Sequence, residues 1–361
     1  MNSNFYDLVS FLGSPFAEDN RYRLDLSKRE KSELYELARI NKVRLFFLEK
    51  LKNLGKLSAL EDTFEADMDR YLETLRTAAG ISARLKEVTE YFAIFKFSKP
   101  YSHTPSDVDV LLFLPNYEIS SIVSNLLENG YHKIGESPSQ FVLYDLRGGF
   151  ASMDTRTVEG KQGGKYYIDL YREISASYFI YISKNTVENY RTTIDSPYGP
   201  IQTLSPTADL PIVLTHSIVP EQLFTLADFY TSLSFIKHMG QEDIDDMLKL
   251  IKENNITKAI ATSLSLTRSI HENVFGFVPD EVDNILNRLP SQGDFFEKQI
   301  SNEFSLPYRY EPSIIIGVLM ERMKNKKGLM SMLNQGLHMA DPRLMRWVIY
   351  NIILRRTRDT Y

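Results

Sequence analysis

Two aspartates separated by a single residue, Asp107 and Asp109, are the side chains of this sequence with the clearest capacity for chemistry. They lie at the start of the apolar run Val108–Leu114, which is typical of a buried strand. Alternate residues of a strand face the same side, so both carboxylates project together while Val108 and Val110 point into the core. Two like charges this close are costly unless a cation lies between them. Hard oxygen ligands of this kind favour Mg²⁺ or Mn²⁺.

A third acid, Asp169, lies in the middle of another strand-like run, Lys165–Tyr171. A buried aspartate within a strand is disfavoured unless it is paired or bound to metal. If this strand lies beside the first, three carboxylates converge, and two metal ions between them can support an in-line phosphoryl displacement. We therefore predict Asp107, Asp109 and Asp169 as catalytic, metal-binding residues.

The elements that position these acids are predicted from periodicity. Residues 1–80 and the chain from Ser205-Pro206 onward read as helical, and a helix over Ser120–Asn129 ends at Gly130. Strand-like runs lie at Tyr91–Phe97, Val108–Leu114, Phe141–Leu146, Phe150–Val158 and Lys165–Tyr171. Glycine-rich segments separate the last three runs and predict an antiparallel meander. We expect an α+β fold with a mixed sheet of about five strands at 81–204, an N-terminal helical region at 1–80 and a C-terminal all-helical domain at 205–361.

These motifs carry a family resemblance. The segment Phe95-Lys96-Phe97-Ser98-Lys99-Pro100 precedes Ser106-Asp107-Val108-Asp109, the next helix ends in Gly130-Tyr131, and Ile168-Asp169-Leu170 follows. The arrangement resembles the polymerase-β-type nucleotidyltransferase superfamily and, more narrowly, the poorly characterised prokaryotic nucleotidyltransferase-like families. The resemblance covers roughly residues 30–240, with its motifs confined to about 80 positions.

The resemblance implies a fold, a reaction and residue roles. The sheet would be a nucleotidyltransferase core in which Asp107 and Asp109 hold both metal ions. Asp169 would complete the second site and help to deprotonate the acceptor. The reaction would transfer a nucleoside monophosphate from an NTP, with ATP among the candidates, to an acceptor hydroxyl with release of pyrophosphate.

One departure from the family pattern concerns the triphosphate. The superfamily usually has Gly-Ser or Gly-Gly ahead of the carboxylates, where this chain has Lys96-Phe97-Ser98-Lys99. We predict that Lys96, Ser98, Lys99 and Ser106 bind the nucleotide through charge and hydroxyl groups. The missing glycine equally fits a catalytically degenerate nucleotide- or RNA-binding module. A metal-dependent glycosyltransferase with an Asp-x-Asp motif is less favoured, because a helical region precedes the motif here instead of an alternating βα half.

Other polar motifs favour structural roles. The glycine-rich segment Gly160–Lys165 lacks the spacing of a phosphate-binding P-loop and predicts a hairpin turn, although its lysines can still face a substrate. None of the six histidines forms a metal-ligand pair at helical spacing, and His216 is expected to be a hydrogen-bonded packing residue. Glu221 and Asp228 are expected on one face of the next helix, either solvated or close to its N-terminus.

Composition limits the partners. The chain has no cysteine, which excludes disulfides, thiolate metal sites and cysteine nucleophiles. The net charge of −5 divides into +6 over residues 321–361 and −11 elsewhere, so a basic C-terminus is a candidate contact for RNA or another polyanionic acceptor. Its late basic residues are Arg343, Arg346, Arg355, Arg356 and Arg358, with Trp347 among them. We expect a cytoplasmic protein without a membrane span. The acceptor, the preferred base and the oligomeric state stay open.

Overall fold

The computed structural model describes residues 3–17, 28–105, 107–145, 167–289 and 306–338. Its helices are α1 (Ser3–Leu12), α2 (Lys28–Ile40), α3 (Arg44–Asn53), α4 (Glu61–Lys86), α5 (Asn116–Glu128), α6 (Lys184–Val187), α7 (Pro206–Ile218), α8 (Leu226–His238), α9 (Gln241–Asn254), α10 (Thr257–Phe275), α11 (Asp280–Arg288), α12 (Pro312–Arg322) and α13 (Lys326–His338). Its strands are β1 (Phe92–Ile94), β2 (Asp107–Leu112), β3 (Tyr131–Glu136), β4 (Gln140–Asp145), β5 (Tyr167–Tyr171), β6 (Ile174–Ala176), β7 (Phe179–Ile182), β8 (Arg191–Ile194), β9 (Ile201–Leu204), β10 (Leu223–Phe224) and β11 (Tyr308–Arg309). This mixture of helices with a mixed sheet is consistent with the α+β class.

The chain divides into two compact units, each built from discontinuous segments. The helical unit comprises Met1–Leu72, Ser98–Pro105 and Leu204–Glu321. The sheet unit comprises Glu73–Phe97, Ser106–Thr203 and Arg322–Tyr361. The three sequence-based domains at 1–80, 81–204 and 205–361 stay a prediction.

The main sheet of the described residues has seven strands in the order β3-β4-β5-β2-β1-β9-β8. The β2–β5 and β1–β9 pairs are parallel, whereas β1–β2, β3–β4 and β4–β5 are antiparallel. The sheet is therefore mixed, as expected, but β3, β8 and β9 correspond to none of the predicted strand-like runs. The edge strands β3 and β8 are mostly polar, as edge strands commonly are, so apolar runs do not reveal them.

The core of the sheet unit lies against one face of the central strands. Val108, Val110 and Leu112 of β2 are fully buried there, in a cluster completed by apolar residues of β5, α4 and α5. Because strand residues alternate, the same pattern turns Asp107 and Asp109 to the opposite face. The apolar alternation of β2 thus selects which face carries the acids.

Several local expectations can be compared with this structure. The predicted meander is wrong in its order, because it places the run Phe150–Val158 between two strands that in fact pair directly and antiparallel, β4 with β5. That predicted strand and the turn Gly160–Lys165 lie outside the described residues. The helix expected from Ser120 begins earlier, at Asn116. The expectation that the chain after Ser205 is all-helical is wrong in one detail, since β10 and β11 pair as a short antiparallel ladder. None of the described helices is long and apolar enough to cross a membrane.

Candidate metal centre

Two parallel neighbouring strands position the three acids. In the β2–β5 register, Asp109 lies opposite Asp169, and Asp107 lies opposite Tyr167. Neighbouring strands are about 4.8 Å apart, so residues in register on one face are in side-chain contact range. The two-residue period of β2 then adds Asp107 to that face. The three acids therefore converge because β2 and β5 are neighbouring strands, which the sequence alone does not establish.

The three carboxylates form a compact group. One oxygen from each of Asp107, Asp109 and Asp169 lies within 4.8 Å of the other two. Asp109 and Asp169 are buried, with 8% and 7% of their surface exposed, and Asp107 is half-buried. Within the part of the chain that the structure describes, this is the one group of three acidic or histidine side chains close enough to share a metal ion.

The electrostatics of the group show an uncompensated excess of negative charge. Burial and the carboxylates of Asp107 and Asp109 together raise the pKa of Asp169 from 3.8 to about 8, against the opposing effects of Lys96 and Gln140. A bound divalent cation reverses this local balance, because it favours the ionised carboxylates. Three hard oxygen donors of this kind fit Mg²⁺ or Mn²⁺ by chemistry and by charge.

Lys96 is held directly against the acids. Its Nζ lies 2.7 Å from Asp109 Oδ2, and its side chain is only 15% exposed. Burial acts to lower the pKa of Lys96, but Asp109, with Tyr181 and Asp107, raises it overall. The backbone of Lys96 has a φ of 57°, in the left-handed region that favours glycine. Lys96 therefore has a glycine-like backbone and adds an ammonium group to the site.

Two further residues of the site were not foreseen. Gln140 Nε2 donates a hydrogen bond of 2.5 Å to Asp169 Oδ2. Tyr171, on β5, packs edge-on against Phe95 with ring centroids 5.2 Å apart. Burial and the neighbouring Asp109 raise the pKa of Tyr171 well above its ordinary value. A polar residue at the start of a strand gives no sign of its target until the strand order is known, so sequence alone could not connect Gln140 to Asp169.

The other three residues predicted to bind nucleotide are Ser98, Lys99 and Ser106. Ser98 and Lys99 belong to the helical unit, and Ser106 lies outside the described residues. Burial lowers the pKa of Lys99 to about 8, although the nearby Asp228 acts to raise it. The nucleotide-binding role of these three residues stays a prediction. The late basic residues from Arg343 onward also lie outside the described part of the chain.

The structure corrects the expectation for Glu221 and Asp228. Glu221 precedes α8, which begins only at Leu226, and it accepts a 2.6 Å hydrogen bond from Lys42 Nζ. Asp228 is buried, and its Oδ2 accepts hydrogen bonds of 2.8 Å from both the backbone and the hydroxyl of Thr225. The two acids therefore do not share a helix face, and Asp228 is a capping residue at the helix N-terminus. His216 Nε2 lies 3.7 Å from Glu221 Oε1, a pairing that the sequence does not suggest.

Comparisons with known proteins add little to this geometry. No protein-family model and no curated protein sequence matches the chain. Among solved structures, the chain is similar to an antigenic nucleotidyltransferase-like protein from Paracoccidioides brasiliensis, at 14% identity and a TM-score of 0.31. The alignment covers 53% of this chain and 92% of that protein. A TM-score this low does not establish a common fold, so the carboxylate geometry carries the functional argument.

Proposed function

We propose that this protein is a metal-dependent nucleotidyltransferase that moves a nucleoside monophosphate from an NTP to an acceptor hydroxyl. The observation that carries the proposal is the convergence of Asp107, Asp109 and Asp169 on one face of two parallel strands. Three buried or half-buried carboxylates within 4.8 Å are costly unless they serve to bind a cation. The motif resemblance in the sequence supports the same class of reaction.

The proposed roles of the residues are those that the motif resemblance implies. Asp107, Asp109 and Asp169 would hold Mg²⁺ or Mn²⁺, which would neutralise charge on the triphosphate and activate the attacking oxygen. Asp169 accepts the proton of the acceptor hydroxyl. The acceptor oxygen bonds to the α-phosphorus, the bond between that phosphorus and the β-bridging oxygen breaks, and pyrophosphate leaves. Lys96, Ser98, Lys99 and Ser106 are the proposed nucleotide-binding residues.

One contact favours a second candidate function. The ion pair between Lys96 and Asp109 engages an acid that the reaction requires. Lys96 belongs to the segment Lys96-Phe97-Ser98-Lys99, where the resembled superfamily usually has Gly-Ser or Gly-Gly. A degenerate module that binds nucleotide or RNA without turnover accommodates such a lysine. No contact among the described residues specifically favours a glycosyltransferase.

The test is transfer of label from each α-labelled NTP, with Mg²⁺ or Mn²⁺, to pools of RNA, protein and small hydroxylated acceptors. We expect transfer by the wild-type chain and its loss in Asp107→Asn and Asp109→Asn. Asp195→Asn is the matched control, because Asp195 is an exposed acid of the same unit. NTP binding without transfer to any acceptor would favour the degenerate module. No NTP binding by calorimetry with either metal would refute the enzyme and the nucleotide-binding module, and would leave only an RNA-binding module.

A further inference from the structure

Two oxygens of the acidic group already accept hydrogen bonds from the chain itself. Lys96 Nζ lies 2.7 Å from Asp109 Oδ2, and Gln140 Nε2 lies 2.5 Å from Asp169 Oδ2. A carboxylate that bridges two metal ions through both of its oxygens gives one oxygen to each. The contacts of Lys96 and Gln140 therefore compete with bridging by the two most buried acids.

Lys96 is built into this position and does not simply extend from the surface. Its ammonium lies 5.0 Å from the ring centroid of Phe95 and 5.6 Å from that of Tyr171, both within cation–π range. Its left-handed backbone is strained in a non-glycine residue, and such strain persists only where the surroundings fix it. The rings of Phe95 and Tyr171 and the carboxylate of Asp109 together hold the Lys96 ammonium in place.

Formal charges give the same result. When all three carboxylates are ionised, as a bound cation favours, they carry −3, and the Lys96 ammonium reduces this to −2. One divalent ion cancels this charge of −2, whereas two ions would leave a net charge of +2 in a largely buried site. Such an excess is unfavourable unless a further anion enters.

We propose that Lys96 takes the place of the second cation, so that the acidic group by itself holds one divalent ion. A second ion then enters only with the negative charge of a nucleoside triphosphate. This inference rests on the metal site of the proposed function and gives Lys96 a role other than the phosphate contact expected for it. Lys96 is thus a fixed counterion that sets the metal stoichiometry.

The test is titration of the full chain with Mn²⁺ alone, followed by calorimetry and electron paramagnetic resonance. We expect one bound ion with a mononuclear spectrum in the wild type. Lys96→Met should bind the first Mn²⁺ roughly tenfold more tightly, because a neighbouring positive charge is gone, and should take up a second, spin-coupled ion.

Three variants separate charge from geometry. Lys96→Arg keeps the charge and should keep a single ion. Gln140→Leu releases a carboxylate oxygen without changing the charge and should also keep a single ion. Lys96→Gly suits the φ of 57° and serves as the neutral variant if Lys96→Met does not fold by circular dichroism.

Two results would overturn the inference: two ions in the wild type without nucleotide, or unchanged stoichiometry and affinity in both neutral Lys96 variants. Absence of Mn²⁺ binding from wild-type and neutral variants alike would instead refute the metal site and the proposed function with it. Stoichiometry of one in the wild type and two in Lys96→Met, without nucleotidyl transfer, would leave the counterion role standing and reject the enzymatic reaction.

Discussion

Replacing Asp169 by asparagine should stabilise the metal-free protein at alkaline pH and abolish its stabilisation by metal. The folded chain raises the pKa of Asp169 from 3.8 to about 8 by burial and by the charges of Asp107 and Asp109. A carboxyl group whose pKa is higher in the folded state favours folding below pH 4, and this contribution is lost as the pH rises through 8. Asparagine retains an oxygen for the hydrogen bond from Gln140 but has no charge.

The size of the effect follows from the two pKa values. At ~1.4 kcal/mol for each pKa unit, ionising Asp169 in the folded protein at pH 8 costs at most ~6 kcal/mol. Side-chain rearrangement and water around the new charge reduce this, and we expect ~2 kcal/mol of stabilisation for Asp169→Asn at pH 8. The difference between the two proteins should shrink toward zero near pH 4.

The assay is thermal unfolding by circular dichroism from pH 5 to pH 8, with and without Mn²⁺. Mn²⁺ should raise the Tm of the wild type at pH 8 and leave Asp169→Asn almost unchanged, because ligand binding to the folded state alone stabilises it. Asp195→Asn, which changes an exposed acid, should follow the wild type in both conditions. A loss of stability in Asp169→Asn that is equal at pH 5 and pH 8 would refute the electrostatic reasoning.

Four further perturbations test the packing, the caps and the basic C-terminus. Leu126→Ala should cost about 3 kcal/mol in urea unfolding because Leu126 is fully buried in the sheet core, and a loss below 1 kcal/mol would contradict that packing. Lys184→Met should cost about 2 kcal/mol, since Lys184 Nζ donates to the backbone oxygens of Leu112 and Leu114 at 3.1 and 2.6 Å, and unchanged stability would show that these oxygens need no donor. Asp228→Ala should cost about 1–2 kcal/mol because Asp228 is the N3 residue of the capping box of α8, whose N-cap is Thr225, with Asp228→Asn as the milder control. Neutralising Arg355, Arg356 and Arg358 should weaken RNA binding, measured by fluorescence anisotropy, and reduce its dependence on salt. Unchanged binding would remove RNA as the acceptor.

The sheet face that carries the three acids was predictable from sequence, because the residue patterns that identify it are local. The Asp-Val-Asp pattern of residues 107–109 fixes two carboxylates on one side of any strand, and the apolar neighbours of Asp169 mark its burial. Convergence of the three acids required only that β2 and β5 be neighbours, which the structure shows. The nucleotide-binding assignments stay predictions.

The remainder depended on information that is not local. Lys96 was singled out for phosphate binding, but its left-handed backbone and its contact with Asp109 arise from the turn that follows β1 and from the strand beside it. The sequence left two positions open for Asp228, solvated or close to a helix N-terminus, and the helix start at Leu226 makes it a buried capping residue. Both outcomes were decided by neighbours distant in sequence or by a helix boundary, and apolar periodicity specifies neither.

The central claim is that Asp107, Asp109 and Asp169 hold a divalent cation that serves an NTP, and anomalous diffraction tests it most directly. Crystals soaked with Mn²⁺ and each NTP in turn should show a manganese peak between the three carboxylates, with the triphosphate of one nucleotide in contact with it. A nucleotide bound elsewhere, or no manganese among these acids in crystals that diffract well enough to place their side chains, would contradict the account.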